Sequence, residues 1–173
     1  GLGYLASPKC RGVLLHTCLA TTPEGVVLGV IDQQMWVRPV EALGKRQTRR
    51  HRTTDEKESQ RWLTGLQATQ AALIDHPQVV SIADSEADIY DLFAVRRAAN
   101  VHLLVRVSRE QRRVEHEAKY LRKAVEATAV RGFLSVEVPR HGRRQSRLAQ
   151  LSVRWSTLAI RPPRWRSAAL PSL

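Results

Sequence analysis

A chain of 173 residues has room for one domain with a proper core, or one domain and a small appendage, and excludes a multidomain enzyme. With 43% hydrophobic and 25% charged residues it reads as a soluble globular protein; no apolar run approaches the roughly 18 residues of a membrane span and no charged-then-apolar leader opens it, so no membrane partner is expected and a cytoplasmic location is. Lys and Arg number 28 against 16 Asp and Glu, a net charge of +12, which makes an anionic polymer the first partner to consider. In chain order, Val13 to Ala20 is an apolar, β-branched run, Thr21-Thr22-Pro23-Glu24-Gly25 is a turn, and Val26 to Val37 is a second strand-like run, so the two predict a hairpin. Arg38-Pro39 ends it, and the basic stretch through Arg52 reads as a loop. From Thr54 or Asp55 a helix is predicted, with Trp62, Leu66, Thr69 and Leu73 at helical spacing and His76-Pro77 as its stop. Gln78 to Ala83 is a short buried-type strand ending at Asp84, a second helix is predicted from about Glu86 to Asn100 with Asn100 as its C-cap, and Val101 to Val107 is a further strand. After Arg109 come a short helix over Lys119 to Ala129 and two strands, Arg131 to Pro139 and Arg147 to Ile160, joined by Arg140-His141-Gly142-Arg143-Arg144. The expectation is an α/β fold of the mixed α+β kind. Residues 1–110 would form a mixed sheet with parallel members and flanking helices, and residues 111–173 a β-rich subdomain carrying most of the positive charge.

Charge is distributed unevenly. Residues 1–44 are neutral, 45–52 sum to +5, 53–92 to −6, 93–130 to +5 and 131–173 to +8. A protein that only coats nucleic acid has no use for an acidic middle, because clustered carboxylates repel a phosphate backbone. An enzyme that holds a divalent metal against phosphates does need one, since hard cations take oxygen ligands. The alternative is that the acids line the first turns and solvated faces of two helices, where the helix dipole favours them.

Asp84-Ser85-Glu86-Ala87-Asp88-Ile89-Tyr90-Asp91 is the most distinctive stretch. A carboxylate at the carboxyl end of a parallel strand projects into the crevice where open α/β sheets place their ligands, so Asp84 is the candidate metal-binding and catalytic residue. Asp84 or Ser85 is equally well placed to cap the following helix, with Asp88 completing a capping box from Ser85. His16 and Cys18 share a strand face, but no second pair accompanies them, and a buried strand histidine is the better reading. Cys10 and Cys18 are expected to be reduced. Trp36 and Trp62 fall in predicted elements and are assigned to packing; Trp155 and Trp165 lie among arginines and are open to packing or base stacking. Arg140, Arg143, Arg144 and Arg147 are assigned to phosphate contacts in a mobile loop.

The stretch from Asp84 resembles the second-aspartate motif, Asp-Arg-Glu-X-Asp-Ile-Tyr, of DDE-type insertion-sequence transposases with an RNase H-like fold, in the branch that includes the transposon-five transposase. Trp36-Val37-Arg38-Pro39 resembles that family's Trp-X-Arg-Pro, Asp55-Glu56-Lys57-Glu58-Ser59 with Trp62 resembles its Glu-Lys-Glu-Ser-X-X-Trp, Leu104-Val105-Arg106 resembles its Val-Val-Arg, and Pro139 through Arg147 resembles the basic hairpin of its inserted β-domain. The matches run in order from about residue 13 to residue 165. The resemblance implies cut-and-paste DNA transposition: binding of transposon ends, Mg²⁺- or Mn²⁺-dependent cleavage and strand transfer on three carboxylates, a homodimer in the intact enzyme, and a bacterial, nucleoid-associated location. It assigns Asp84 to the second metal-binding aspartate and Arg106 to a place near the DNA backbone. Ser85 stands where the family has Arg. The family's first aspartate, in an Asp-Thr-Thr context, would precede Gly1, and its third carboxylate would follow Leu173; the only Met is Met35. The expectation is thus an excised or truncated piece of a transposase, inactive by itself. The runner-up is a non-catalytic basic nucleic-acid-binding module.

Overall fold

The structure is a computed structural model that describes residues 2–5, 9–39 and 57–164. The described residues divide into two compact units, one ending at Ser108 and the other beginning at Arg109.

The first unit opens with two short antiparallel strands, β1 (Gly3–Tyr4) and β2 (Arg11–Gly12), which the sequence did not announce. Tyr4 is buried, and its N–H donates to Arg38 O at 3.2 Å. The predicted hairpin is β3 (Leu14–Thr21) and β4 (Val27–Trp36), joined through Gly25 at φ +89°, a left-handed conformation that glycine adopts without penalty. Helix α1 (Gln60–Ala72) follows. Its proposed caps at Thr54 and Asp55 lie outside the described residues. Strand β5 (Val79–Ala83) and strand β6 (Val101–Val105) then pair in parallel, in the register Val79↔Val101 to Ala83↔Val105. The alternating pleat turns Val79, Ala83, Val101, Leu103 and Val105 to one side, where they pack with Leu66, Leu92, Trp62 and Leu73 into the core cluster.

Two expectations are corrected here. The hairpin and the parallel pair are separate two-stranded sheets among the described residues, not strands of one mixed sheet. The helix predicted over Glu86 to Asn100 is a single 3₁₀ turn, Ser85–Ala87, followed by a short α2 (Tyr90–Ala94). Val95 turns extended at ψ 139°, and Arg97 Nη1 reaches the carbonyls of Phe93 at 3.1 Å and Val95 at 3.2 Å, taking over acceptors that a longer helix would have used. Asn100 caps a different helix from the one predicted. Its Nδ2 donates to the carbonyls of Leu73 (3.3 Å) and His76 (2.7 Å), closing the end of α1.

The second unit holds α3 (Leu121–Glu126) and the antiparallel pair β7 (Gly132–Val138) and β8 (Arg147–Val153). Val114 and Ala124 are its buried apolar residues, and Val114 bridges to Ile160. The strand predicted to run to Ile160 therefore ends at Val153 and leaves one isolated bridge. Taken together, the described residues form a mixed α and β structure of small sheets and few helices. No helix among them is long and apolar enough to cross a membrane.

Candidate functional site

Strand β5 carries Val79, Val80, Ile82 and Ala83 and stops at Asp84, where the backbone leaves the sheet. Asp84 is exposed, and its Oδ1 accepts the Glu86 N–H at 2.9 Å, so it caps the 3₁₀ turn. The parallel register puts Arg106 beside it: Arg106 N donates to Ala83 O at 3.2 Å, and its Nη2 donates to Ser85 Oγ at 3.4 Å. Of the sequence-predicted site residues, Asp84 and Arg106 are thus brought together at the carboxyl end of the parallel pair.

Asp88 does not complete a capping box. Its carboxylate is 2% exposed and accepts from Ser108 N at 2.8 Å and Ser108 Oγ at 3.2 Å, tying the turn after β5 to the segment after β6. A buried carboxylate is tolerated because such bonds replace its water.

The turn is also held from the other side. Arg61, in the first turn of α1, donates Nη2 to the Glu86 carboxylate and Nη1 to Glu58 O, the latter at 2.9 Å. Its guanidinium carbon lies 5.4 Å from the ring centroids of both Trp36 and Trp62, within cation–π range of each. Trp36 and Trp62 are therefore packing residues that grip a cation. Arg38 makes a bidentate pair with Glu58, both contacts at 2.5 Å, which raises the guanidinium pKa. On the inner face of the hairpin, cross-strand register sets His16 opposite Gln34 and Cys18 opposite Asp32. Gln34 Nε2 donates to Asp32 Oδ2 at 2.6 Å and to Arg61 O at 3.1 Å. Burial, helped by Asp32, pushes the Cys18 thiol pKa up, so it acts as a packing atom and not as a thiolate.

Asp84 supplies one carboxylate, with Oδ1 already accepting a backbone N–H, and the Glu86 carboxylate is engaged by Arg61. Among the described residues no three His, Cys, Asp or Glu side chains gather into a group able to hold a metal ion. A Mg²⁺ or Mn²⁺ ion gives up its waters reluctantly and needs several oxygens, so these residues do not by themselves fit one.

The remaining predicted site residues belong to the second unit. Arg140, Arg143, Arg144 and Arg147 are exposed around the turn between β7 and β8. That turn is not a loose loop. His141 N donates to Arg144 O at 3.2 Å, Arg144 N returns to His141 O at 3.1 Å, and Gly142 sits at φ +59°, the left-handed conformation a tight turn demands. By contrast Arg122, Arg113 and Arg154 are occupied, by Glu110 and Glu126, by Pro162 O, and by the carbonyls of Glu126 and Thr128. The basic stretch from Lys45 to Arg52, together with Trp165 and Arg166, lies outside the described residues.

No protein-family model and no curated protein matches this chain.

Sequence reasoning missed Arg61, Glu86 and Asp88 as the residues that hold the turn. Arg61 and Glu86 are 25 positions apart, and no local pattern reports a contact at that range.

Proposed function

We propose that the chain is part of a DDE-type DNA transposase of RNase H-like fold, binding transposon-end DNA, with Asp84 one carboxylate of a metal-dependent cleavage and strand-transfer centre. The observation that carries this reading is Asp84 set beside Arg106 at the carboxyl end of the β5–β6 parallel pair, where an acid and a cation serve phosphate chemistry. The exposed arginines on the β7–β8 turn supply charge for the phosphate backbone. Cleavage in this reading belongs to an assembly in which further carboxylates join Asp84. The 173-residue chain alone binds DNA and leaves it uncut.

A second reading has a specific observation in its favour. The bond from Glu86 N–H to Asp84 Oδ1 is a helix cap, and a basic nucleic-acid-binding module needs nothing more of that residue.

Duplex affinity measured by fluorescence anisotropy across a salt series tests both. Each phosphate contact contributes about 0.9 to the slope of log K against log salt. Replacing Arg140, Arg143, Arg144 and Arg147 together by Ala should lower that slope by about 3 to 4, and an unchanged slope would remove the hairpin from the interface. Asp84→Asn keeps an oxygen for the Glu86 N–H and removes a charge that repels phosphate, so it should tighten duplex binding under the transposase reading, where Asp84 faces the DNA, and leave it unchanged under the module reading. Nicking of supercoiled plasmid by the parent chain, lost in Asp84→Asn, would overturn the claim that it cannot cut alone.

A further inference from the structure

One partly buried titratable group plays no part in the proposed function. His16 projects from β3 toward α1, and its ring meets Trp62 edge-on, centroids 4.5 Å apart and planes at 76°. Its Nε2 is buried without a hydrogen-bond partner and lies 3.8 Å from where a Cβ on Gly65 would sit, at the closest approach of hairpin and helix. The charged and titratable groups facing it are Arg61 from α1, Asp32 from β4, Glu86 from the turn after β5, and Cys18 from β3 itself. Both acids are already committed, Asp32 to Gln34 and Glu86 to Arg61.

We propose that His16 is an acid-operated release: when its imidazole takes up a proton, the Arg61–Glu86 tie loosens and α1 and the β3–β4 hairpin uncouple from the turn that carries Asp84. Protonation adds a second cation beside the Arg61 guanidinium and charges a ring whose Nε2 is buried without a partner. The imidazolium must then find an acceptor. It competes with Arg61 for Glu86, and that outcome breaks the bond that joins α1 to the turn after β5. The Arg61 guanidinium, displaced, no longer covers both indoles. Burial first and Arg61 second lower the pKa of His16 below its ordinary 6.5, while Asp32 and Glu86 oppose them. The unfolded chain therefore binds this proton more readily than the folded one. The stabilisation is complete above the unfolded value and is lost as pH falls below it toward the folded value. The device does not depend on the DNA reading.

The test is an NMR titration of the ¹⁵N-labelled full chain from about pH 8 to about pH 5. The indole N–H signals of Trp36 and Trp62 should move together with the His16 ring protons, with a midpoint below 6.5, while the Trp155 indole stays in place. His16→Gln should flatten the Trp36 and Trp62 profiles. A His16 midpoint at or above the ordinary value, or the same indole profile in His16→Gln, overturns the proposal. Should His16→Gln fail to fold, Glu86→Gln takes its place: it removes the anion of the tie, so the indoles should already be displaced at about pH 8 and respond less to acid. An indole profile unchanged in Glu86→Gln also overturns it.

Discussion

Gly65 marks the place where helix α1 and the β3–β4 hairpin touch most closely. A Cβ there would lie 2.8 Å from Cys18 Sγ, closer than packed atoms tolerate, and a strand side chain with a single rotatable bond has little room to yield. Glycine in a helix interior costs about 1 kcal/mol relative to Ala. Its presence in the middle of α1 therefore reflects the neighbour and not the helix. Gly65→Ala should destabilise the protein by a net of about 1 to 2 kcal/mol, the overpacking outweighing the gain in helix propensity. Chemical denaturation provides the measurement, and the double variant Gly65→Ala with Cys18→Ala should recover most of the loss. Recovery is the decisive outcome, because a loss that persists in the double variant would place the strain elsewhere. Asp88 makes the same point about context. Its position beside Ser85 and Glu86 suggests a cap, but 2% exposure and two bonds to Ser108 make it a buried anchor between the segments after β5 and β6.

At the scale of elements, what each strand rests on separates the two halves of the chain. The β5–β6 pair lays Val79 and Val101 against Leu66 and Leu92 in the core cluster. Among the described residues the β7–β8 pair has no comparable support, since Phe133, Leu134, Leu148, Leu151 and Val153 are all exposed. An isolated two-stranded hairpin is marginal in water, and local opening follows the scarcity of buried contacts. Amide hydrogen exchange should therefore be faster across Gly132–Val138 and Arg147–Val153 than across the ladder amides of Val79–Ala83 and Val101–Val105; equal protection would mean that the basic hairpin is as firmly seated as the parallel pair. These same strands were the legible part of the sequence. β-branched runs bounded by Pro, Gly and Asp reveal their place and type, because that signal is local. The length of the helix after Asp84 was not legible, because Arg97 and Asn100 act on carbonyls chosen by the fold: Arg97 ends α2, and Asn100 reaches back 24 residues or more to close α1. The candidate site divides in the same way. Asp84 at a strand end could be read directly, Arg106 came through resemblance, and the Arg61 grip between two indoles exists only once the hairpin and α1 are packed.

For the molecule as a whole, the consequence is apolar surface left facing outward. The core-facing side of the β5–β6 pair is covered, yet Ile82 is 73% exposed and Leu104, its register partner, is 58% exposed, with Val80 beside them. On the hairpin, Leu15 and Met35 form one exposed cross-strand pair and Leu19 and Val30 another. Parallel strands ordinarily have both faces covered, so the bare side of this pair departs from the usual arrangement. Exposed apolar area of this kind drives association, and the many like charges of a +12 chain oppose it less as salt screens them. Sedimentation velocity should accordingly show self-association that rises with protein concentration and with ionic strength, the reverse of the salt response expected of DNA binding. Ile82→Thr with Leu104→Thr should suppress it. Because both side chains point away from the core cluster, and threonine has the β-branched shape that strands favour, the double variant should change stability by less than about 1 kcal/mol. Association that survives this change would move the sticky surface to the β3–β4 hairpin. Association that weakens as salt is raised would show that charge, and not the bare sheet face, holds the copies together.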